Sequence, residues 1–278
     1  MKKAIVAIAA LLAAGNVFAQ EETSQKADTV VVGNFIIIKK DKKKGDNSDT
    51  TSRTFEISKR KKKANLSTNW SILDIGFANV RDETVYGSPE ANAYLQGGTN
   101  HFTKNDMKLR TNKTSNINYW LFMQKLNVSK HVLNLKYGLG LEMYNFRYST
   151  NISYREANGS AYVFRDSVAF SKNKLYAGYV TVPFMVNVNA TPNRRNGFSF
   201  SAGVSAGYLV GSRNKQVSDA RGKEKFKSDF ELEKWRLAYI AEVGLGPVRI
   251  YGSYSTNPLH ERGMKQYPYA VGIRLSNW

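Results

Sequence analysis

The chain has 278 residues, with 41 Lys and Arg against 22 Asp and Glu, and a formal net charge of +19. It contains no cysteine, which excludes a disulfide scaffold, a thiolate metal site and a cysteine nucleophile. Its three histidines, at positions 101, 131 and 260, lack the spacing of metal ligands, and we expect no metal and no cofactor. A composition with 12% aromatic residues, 21 Gly and 16 Tyr favours a β-rich fold over a disordered or helical one.

The first 19 residues have the pattern of a secretory signal peptide. Two lysines are followed by the apolar residues 4–14, and we expect cleavage between Ala19 and Gln20. The apolar stretch is too short to span a bilayer. No cysteine follows the cleavage point, so a lipoprotein anchor is excluded, and the exported chain is soluble, surface-bound or a membrane β-barrel.

Residues 20–65 form a polar, basic leader of low complexity. Its lysine-rich runs at 39–44 and 59–63 are typical of solvated segments. Before the first of these runs, the β-branched segments 29–32 and 35–38 flank a Gly-Asn pair and predict a small hairpin. The basic runs either contact phosphates or an acidic polymer, or they keep the leader soluble. A periplasmic protein partner for this leader is a further expectation.

Residues 66–278 alternate between apolar and polar positions, strand after strand. The clearest case is residues 133–143, where odd positions are apolar and even positions are polar or glycine. Such alternation predicts strands that are exposed to different environments on their two faces. The predicted strands are residues 70–80, 116–126, 131–148, 176–188, 198–210, 235–245, 248–256 and 269–277.

The connections between these strands alternate in length. Long connections are expected at 81–115, 149–174, 211–233 and 257–267, and the three others are short. An up-and-down barrel places its short turns at one rim and its long loops at the other. The sequence therefore predicts an all-β fold, an eight-stranded antiparallel up-and-down transmembrane β-barrel with a flexible N-terminal leader.

A soluble barrel of lipocalin type is the structural alternative, and the polar face distinguishes the two. A soluble barrel has an apolar interior, whereas a small membrane barrel has an apolar exterior and a polar lumen. The minor face here is rich in Gly, Ser and Asn with a few nearly balanced charges, which favours a membrane barrel. We predict that these charges pair across the lumen: Asp74, Lys136, Glu142, Arg236, Glu242, Arg249 and Arg274.

Aromatic residues fall near the predicted strand ends, as the interfacial girdles of a membrane barrel require. We expect these side chains to face the bilayer interface. They are Trp70, Tyr119, Trp120, Tyr144, Phe146, Tyr176, Phe198, Tyr208, Trp235, Tyr254 and Tyr269.

Three motifs carry a resemblance to a known family. They are the run at 136–142, the segments 171–175 and 179–183, and the terminal aromatic Trp278. With the signal peptide and leader, residues 66–278 resemble the outer-membrane β-barrel family with PorT-like members and, more loosely, the small OmpX/OmpA-type barrels. The resemblance implies that Trp278 is a signal for the barrel assembly machinery, although Trp278 is out of phase with the apolar face of the last strand.

The third long connection is strongly basic. In an outer-membrane barrel it would form a basic extracellular rim, which is suited to the phosphates of outer-membrane lipid and lipopolysaccharide-type glycolipid, or which serves only to keep the loop soluble. Nucleic acid is not expected as a partner, because the signal peptide removes the chain from the cytoplasm. The rim residues are Arg213, Lys215, Arg221, Lys223, Lys225 and Lys227.

Catalysis is not expected from this sequence. Some small outer-membrane barrels are enzymes, and His101, Asp166 and Ser167 fall in long connections, but the sequence gives these residues no mutual geometry. The leading hypothesis is an outer-membrane barrel with a structural or binding role, a lumen filled by polar and charged side chains, a periplasmic leader and mobile extracellular loops. An accessory component of a protein-secretion apparatus, as PorT-like members resemble, and a narrow channel or transporter remain open.

Overall fold

The chain divides into two units, residues 1–63 and 64–278, and each is described by itself. The predicted cleavage site at Ala19 and Gln20 lies outside the described residues, and so does Trp278. The computed structural model describes residues 29–32, 35–41, 53–59, 64–192 and 197–276.

The first unit contains one antiparallel sheet of three strands. These are β1 (Thr29–Val32), β2 (Phe35–Asp41) and β3 (Arg53–Lys59), with β2 in the centre. Val32 pairs with Phe35, as in the hairpin that the two β-branched runs indicate. The strand β3 was not predicted.

The second unit is built around a closed antiparallel barrel. Strand β10 pairs with β7 on one side and with β11 on the other, so the ring of eight strands has no free edge, and the predicted fold class is confirmed. Strands β5, β8, β9 and β12 lie outside this ring. The strands are β4 (Leu66–Asp82), β5 (Leu95–Gln96), β6 (Ser115–Ser129), β7 (Leu133–Arg147), β8 (Ile152–Ala157), β9 (Ser160–Arg165), β10 (Lys172–Asn189), β11 (Phe198–Ser218), β12 (Gly222–Phe226), β13 (Trp235–Leu245), β14 (Val248–Ser255) and β15 (Gln266–Leu275).

The exterior of the barrel is apolar, and the lumen at the height of this apolar band contains buried charged side chains. Val182 and Val204 point outward and are each 51% exposed, whereas Lys136 and Glu142 are buried inside. A continuous band of exposed apolar side chains around a closed barrel is unfavourable in water and matches the hydrocarbon core of a bilayer. This orientation is the reverse of a lipocalin-type barrel, which has an apolar interior.

The two rims of the barrel differ as the loop lengths indicate. At the short-turn end, Gly246 adopts a φ of +59° before Pro247, as a tight two-residue hairpin requires. At the long-loop end, β10 has 18 residues and β11 has 21, more than the roughly 9–11 that cross a bilayer. The predicted strands 176–188 and 198–210 were therefore too short at this end, because both strands continue beyond the apolar band.

The long connections fold into a cap, which we define as residues 83–114, 148–171, 219–234 and 256–265. Strands β8 and β9 form a hairpin whose turn residues Asn158 and Gly159 have φ of 52° and 73°, and β5 pairs parallel to β9. A short helix, α1 (Pro89–Tyr94), is capped by the Ser88 hydroxyl. The long connections therefore contain hydrogen-bonded elements that the sequence analysis did not predict.

Within the described ranges, no helix is both long and apolar enough to cross a membrane.

Candidate functional site: the lumen and its cap

The half of the lumen nearer the short turns contains a buried layer of charged side chains, which we call the ion-pair layer. All members are buried, and each lies within 4 Å of an opposite charge. The strands of an eight-stranded barrel leave an interior just wide enough for side chains, so such groups meet across the axis. The members are the seven predicted lumen charges, Asp74, Lys136, Glu142, Arg236, Glu242, Arg249 and Arg274.

Glu242 is the centre of the ion-pair layer. Its Oε1 atom accepts hydrogen bonds from Lys136 Nζ, from Arg249 Nη1 at 3.4 Å and from the Ser201 hydroxyl at 3.1 Å. Its Oε2 atom accepts from Arg274 Nη1 at 2.8 Å. Three cations and one hydroxyl therefore compensate a single carboxylate, which satisfies it after its removal from water.

Asp74 is the second acid of the layer that Arg274 contacts. Arg274 donates Nε–H and Nη2–H to its two oxygens at 2.7 Å each, a bidentate geometry. The indole N–H of Trp120 donates to Asp74 Oδ2 at 2.7 Å, and the Asn118 amide donates to the same oxygen at 3.2 Å. Sequence reasoning missed Trp120 and Asn118 as members of this cluster.

A third group links the ion-pair layer to the cap. Arg236 donates Nη1–H to Glu142 Oε2 at 2.5 Å and Nη2–H to the Tyr144 hydroxyl at 2.6 Å. Thr181 donates to Glu142 Oε2 at 3.3 Å, and the hydroxyls of Tyr144 and Ser253 are 3.2 Å apart. Tyr144 therefore lies where the charged layer ends and the aromatic layer begins.

The space left inside the ion-pair layer is small. A cavity of about 20 Å³ is lined by residues that include Trp120, Glu142, Glu242 and Arg274. A void of that size holds about one water molecule.

The other half of the lumen is apolar, which differs from the predicted lumen of polar and charged side chains throughout. Inward residues of β7 and β10 pack there against side chains from all four long connections. The cap therefore closes the barrel with a hydrophobic core, which we call the cap core. Its larger members include Tyr94, Phe102, Tyr144, Phe146, Tyr148, Ile152, Tyr154, Leu175, Tyr179, Phe230, Leu232 and Leu259.

Three predicted girdle aromatics belong to the interior instead. Trp120, Tyr144 and Phe146 are at most 3% exposed, whereas Trp70 is 67% and Trp235 57% exposed on the outside. Continuing the alternation of β7 past residue 143 would have placed Tyr144 and Phe146 inward. The signal was therefore present in the sequence, but position near a strand end was given more weight.

Ion pairs tie the cap connections together. Arg165 of β9 donates to both oxygens of Asp106 at 2.8 and 2.9 Å, and its remaining N–H groups donate to the backbone oxygens of Asn100 and His101 at 2.9 Å each. The hydrogen bond from Arg165 lowers the pKa of Asp106 to about 2. The first and second long connections are thus joined by one guanidinium.

The second and third connections are joined in the same way. Arg221 donates to the two oxygens of Asp166 at 2.9 and 3.1 Å, and the Ser153 hydroxyl donates to Asp166 at 3.0 Å. Burial opposes ionisation of Asp166, but these hydrogen bonds outweigh it and lower the pKa of the carboxyl group.

Glu231 of the third connection accepts from the backbone N–H of Ala161 at 3.0 Å and pairs with Arg262 of the fourth. The hydrogen bond from Arg262 is the main cause that lowers the pKa of Glu231.

His260 lies at the centre of the cap core. Its ring is stacked on Tyr154 with centroids 6.1 Å apart and meets Tyr94 edge-on at 5.6 Å. It is fully buried, and neither ring nitrogen has a hydrogen-bond partner within the described residues. Burial lowers the pKa of His260 to about 3, so the ring is neutral at ordinary pH.

The candidate catalytic residues do not form a nucleophile–base pair. The His101 imidazole lies 3.1 Å from Asn92 Oδ1, while Asp166 is bonded to Arg221 and Ser153. Ser167 is exposed. In the described part of the chain, no three His, Asp or Glu side chains are grouped so that they could hold a metal ion.

The predicted basic rim is split by the structure. Arg213 and Lys215 lie on β11, while Lys223 and Lys225 lie on the paired strand β12. Lys227 follows β12 and is exposed. Arg221 differs from the other five, because Asp166 neutralises its charge.

Comparison with known proteins identifies the family. No curated protein sequence matches the chain significantly. Among solved structures, the chain is similar to Ail, the attachment invasion locus protein of Yersinia pestis, at 13% identity over 74% of this chain and 96% of Ail, with a TM-score of 0.29. The model of the outer membrane protein beta-barrel domain matches residues 84–259. The chain therefore belongs to the outer membrane protein β-barrel domain family, which places it in the bacterial outer membrane.

Proposed function

We propose that this protein is a sealed envelope barrel with a structural or binding role, which presents its folded cap at the cell surface and conducts no solute. The observation that carries the proposal is the double closure of the lumen. The cavity described within the ion-pair layer has room for about one water molecule, and the cap core fills the other half with aromatic and aliphatic side chains.

Planar-bilayer recording of the purified, folded protein tests this proposal. The wild-type chain is expected to give no steady openings. A variant that removes three side chains of the ion-pair layer, Lys136→Ala/Glu242→Ala/Arg274→Ala, is the comparison, with gel mobility before and after boiling to show that it still folds. Steady conductance of the wild-type protein would favour the channel alternative and reject the proposal.

The proposed orientation places the cap outside the cell and the short turns in the periplasm. It is supported by the general arrangement of outer-membrane barrels, in which short turns face the periplasm. Because the chain has no cysteine, one introduced thiol can report its side. Ser167→Cys in the cap and Ser129→Cys at a short turn form a matched pair of exposed serines.

In intact cells, a membrane-impermeant maleimide is expected to label Ser167→Cys. Ser129→Cys should react only after the outer membrane is disrupted. The reverse labelling pattern would show that the orientation is wrong.

The same orientation assigns residues 20–65 to the periplasm, because Leu66 begins β4 at the short-turn end. The lysine-rich runs support a periplasmic protein partner for this leader, and the barrel assembly machinery is proposed to receive the folding barrel. A pull-down from envelope extracts tests the leader, with the full chain compared to the full-length variant Lys42→Gln/Lys43→Gln/Lys44→Gln. Equal recovery of proteins by both would reject a charge-dependent partner.

A further inference from the structure

A row of four cations crosses the outward face of the barrel at its long-loop end. The strand register pairs Arg147 with Lys174, Lys174 with Lys215, and Lys215 with Lys225. These residues lie on β7, β10, β11 and β12, so each is the direct cross-strand neighbour of the next. We call this row the cationic ladder.

The ladder is unfavourable as it stands, because like charges directly opposite each other destabilise a sheet. Among the described residues, no ion pair joins the ladder to an acid, and its polar contacts are neutral. Lys174 Nζ donates to Asn145 Oδ1 at 2.6 Å, and Arg147 Nη2 donates to the Ser171 backbone oxygen at 2.8 Å. The Nε–H of Arg147 has no partner there.

The acid nearest in sequence does not relieve this repulsion. Glu224 is adjacent to Lys225 on β12, but its cross-strand partner is the buried Gln216, so it lies on the opposite face of the sheet. An anion bound from outside the chain would compensate the ladder. Adjacent strands lie about 4.8 Å apart, so the row extends about 14 Å, which is longer than one phosphate group.

The ladder lies just beyond the apolar band. One step toward the band, the Arg213 guanidinium is 4.7 Å from the centre of the Tyr176 ring. That ring lies over Gly178, where an added Cβ would be 2.5 Å from the Tyr176 hydroxyl oxygen. Val180 and its exposed partner Tyr208 then begin the band. An aromatic side chain at this height marks the bilayer interface.

Below the interface, the same face carries a groove in the apolar band. It has a volume of about 490 Å³ and is lined by residues of β10, β11 and β13 that include Val182, Phe184, Val204, Leu237 and Tyr239. Its lining also includes the small, outward-facing side chain of Ala206. A single face of the barrel thus offers positive charge above the interface and an apolar depression beneath it.

We propose that this face binds a phosphorylated glycolipid of the outer leaflet, with its phosphates on the cationic ladder and an acyl chain in the groove. Guanidinium and ammonium groups both bind phosphate, and the apolar groove favours an amphiphile over a soluble polyanion. The inference rests on the proposed orientation, because the outer leaflet of the outer membrane is the one that contains glycolipid.

Native mass spectrometry of the full-length, folded protein in a neutral detergent tests the site. The probe is lipid A with two phosphates, and the comparison lipids are its dephosphorylated form and phosphatidylglycerol. Lys174→Gln/Lys215→Gln is expected to weaken binding of the bisphosphorylated lipid at least about tenfold, since it removes two charge-assisted contacts. Added salt should weaken wild-type binding as well.

Lys104→Gln/Lys108→Gln is the matched control, because it removes two exposed cap lysines that lie outside the ladder. It should bind lipid A as the wild type does. The proposal is overturned if Lys174→Gln/Lys215→Gln binds as tightly as the wild type, or if either comparison lipid binds as well as bisphosphorylated lipid A. Binding in detergent does not depend on orientation in cells or on conductance, so failure here is distinct from failure of the sealed barrel.

Discussion

The Arg274 guanidinium holds both carboxylate oxygens of Asp74 at 2.7 Å, across a strand pair that joins residues 200 positions apart in the chain. Arg274 lies on β15 and Asp74 on β4, so this contact closes the barrel between its last and first strands. Its second acid, Glu242, lies at 2.8 Å on β13. One side chain thus connects three strands through the lumen.

Arg274→Met is expected to lower the free energy of unfolding by about 3–5 kcal/mol, because it leaves two carboxylates buried with fewer cations. Urea unfolding in lipid vesicles, followed by gel mobility, measures the change. Arg81→Met is the control, since Arg81 is exposed and pairs with the exposed Glu83. The control substitution should lower the free energy of unfolding by no more than about 1 kcal/mol. A loss for Arg274→Met as small as that of the control would contradict the central role of this residue.

His260→Phe is expected to stabilise the protein by about 1–3 kcal/mol, because it removes two buried ring nitrogens that lack partners and keeps an aromatic ring between Tyr94 and Tyr154. Urea unfolding at pH 7.5 measures the gain. A loss of stability would show that an unseen group, such as a buried water, satisfies the imidazole.

The same histidine predicts acid sensitivity. Its folded pKa of about 3 lies below the unfolded value of about 6.5, so the unfolded chain binds a proton that the folded chain does not. Stability is therefore complete above pH 6.5 and declines as the pH falls toward 3, by about 2 kcal/mol at pH 5. Unfolding of the wild type and of His260→Phe at both pH values isolates this contribution. His260→Phe should not show the part of the stability loss at pH 5 that protonation of His260 causes.

Asp106→Asn should release the first long connection from β9, because it removes the acid that Arg165 binds at two positions. Limited proteolysis of the folded protein should then cleave within residues 83–114 faster than in the wild type. The Asp106 pKa of about 2 predicts that the wild type keeps this contact until the pH falls through about 4 toward 2. Lys104→Gln, in the same connection, is the control, and equal cleavage rates for both variants would argue against the ion pair.

Gly159→Ala should destabilise the β8–β9 hairpin by about 1–2 kcal/mol, because its φ of +73° is unfavourable for a residue with a Cβ. No heavy atom lies within 4 Å of the added Cβ, so the cost is conformational rather than steric. Hydrogen exchange of the β8 and β9 amides measures it. Gly211→Ala has equally open surroundings and no positive φ, and it should leave exchange unchanged.

Local sequence patterns were sufficient to predict the barrel fold. Alternation along residues 133–143 decided which side chains face lipid, since successive residues of a strand point to opposite faces. The alternation of short and long connections decided the topology. The pair Asn158-Gly159 is a strong hairpin signal within the second long connection, and no strand was predicted there.

Which side chains contact each other inside the lumen could be determined only from the tertiary structure. Alternation places Asp74, Glu242 and Arg274 inside the barrel, but only strand order and register decide that Arg274 meets both acids. The sequence predicts Lys215 and Lys225 at a basic rim, but only the strand register aligns them with Arg147 and Lys174 in one row. The alternation of β7 points Tyr144 and Phe146 inward, but only the tertiary structure shows that the cap covers them and makes them part of an apolar core. The alternation within one strand determines which of its side chains point into the barrel. Which of these side chains meet depends on the order and register of all eight strands.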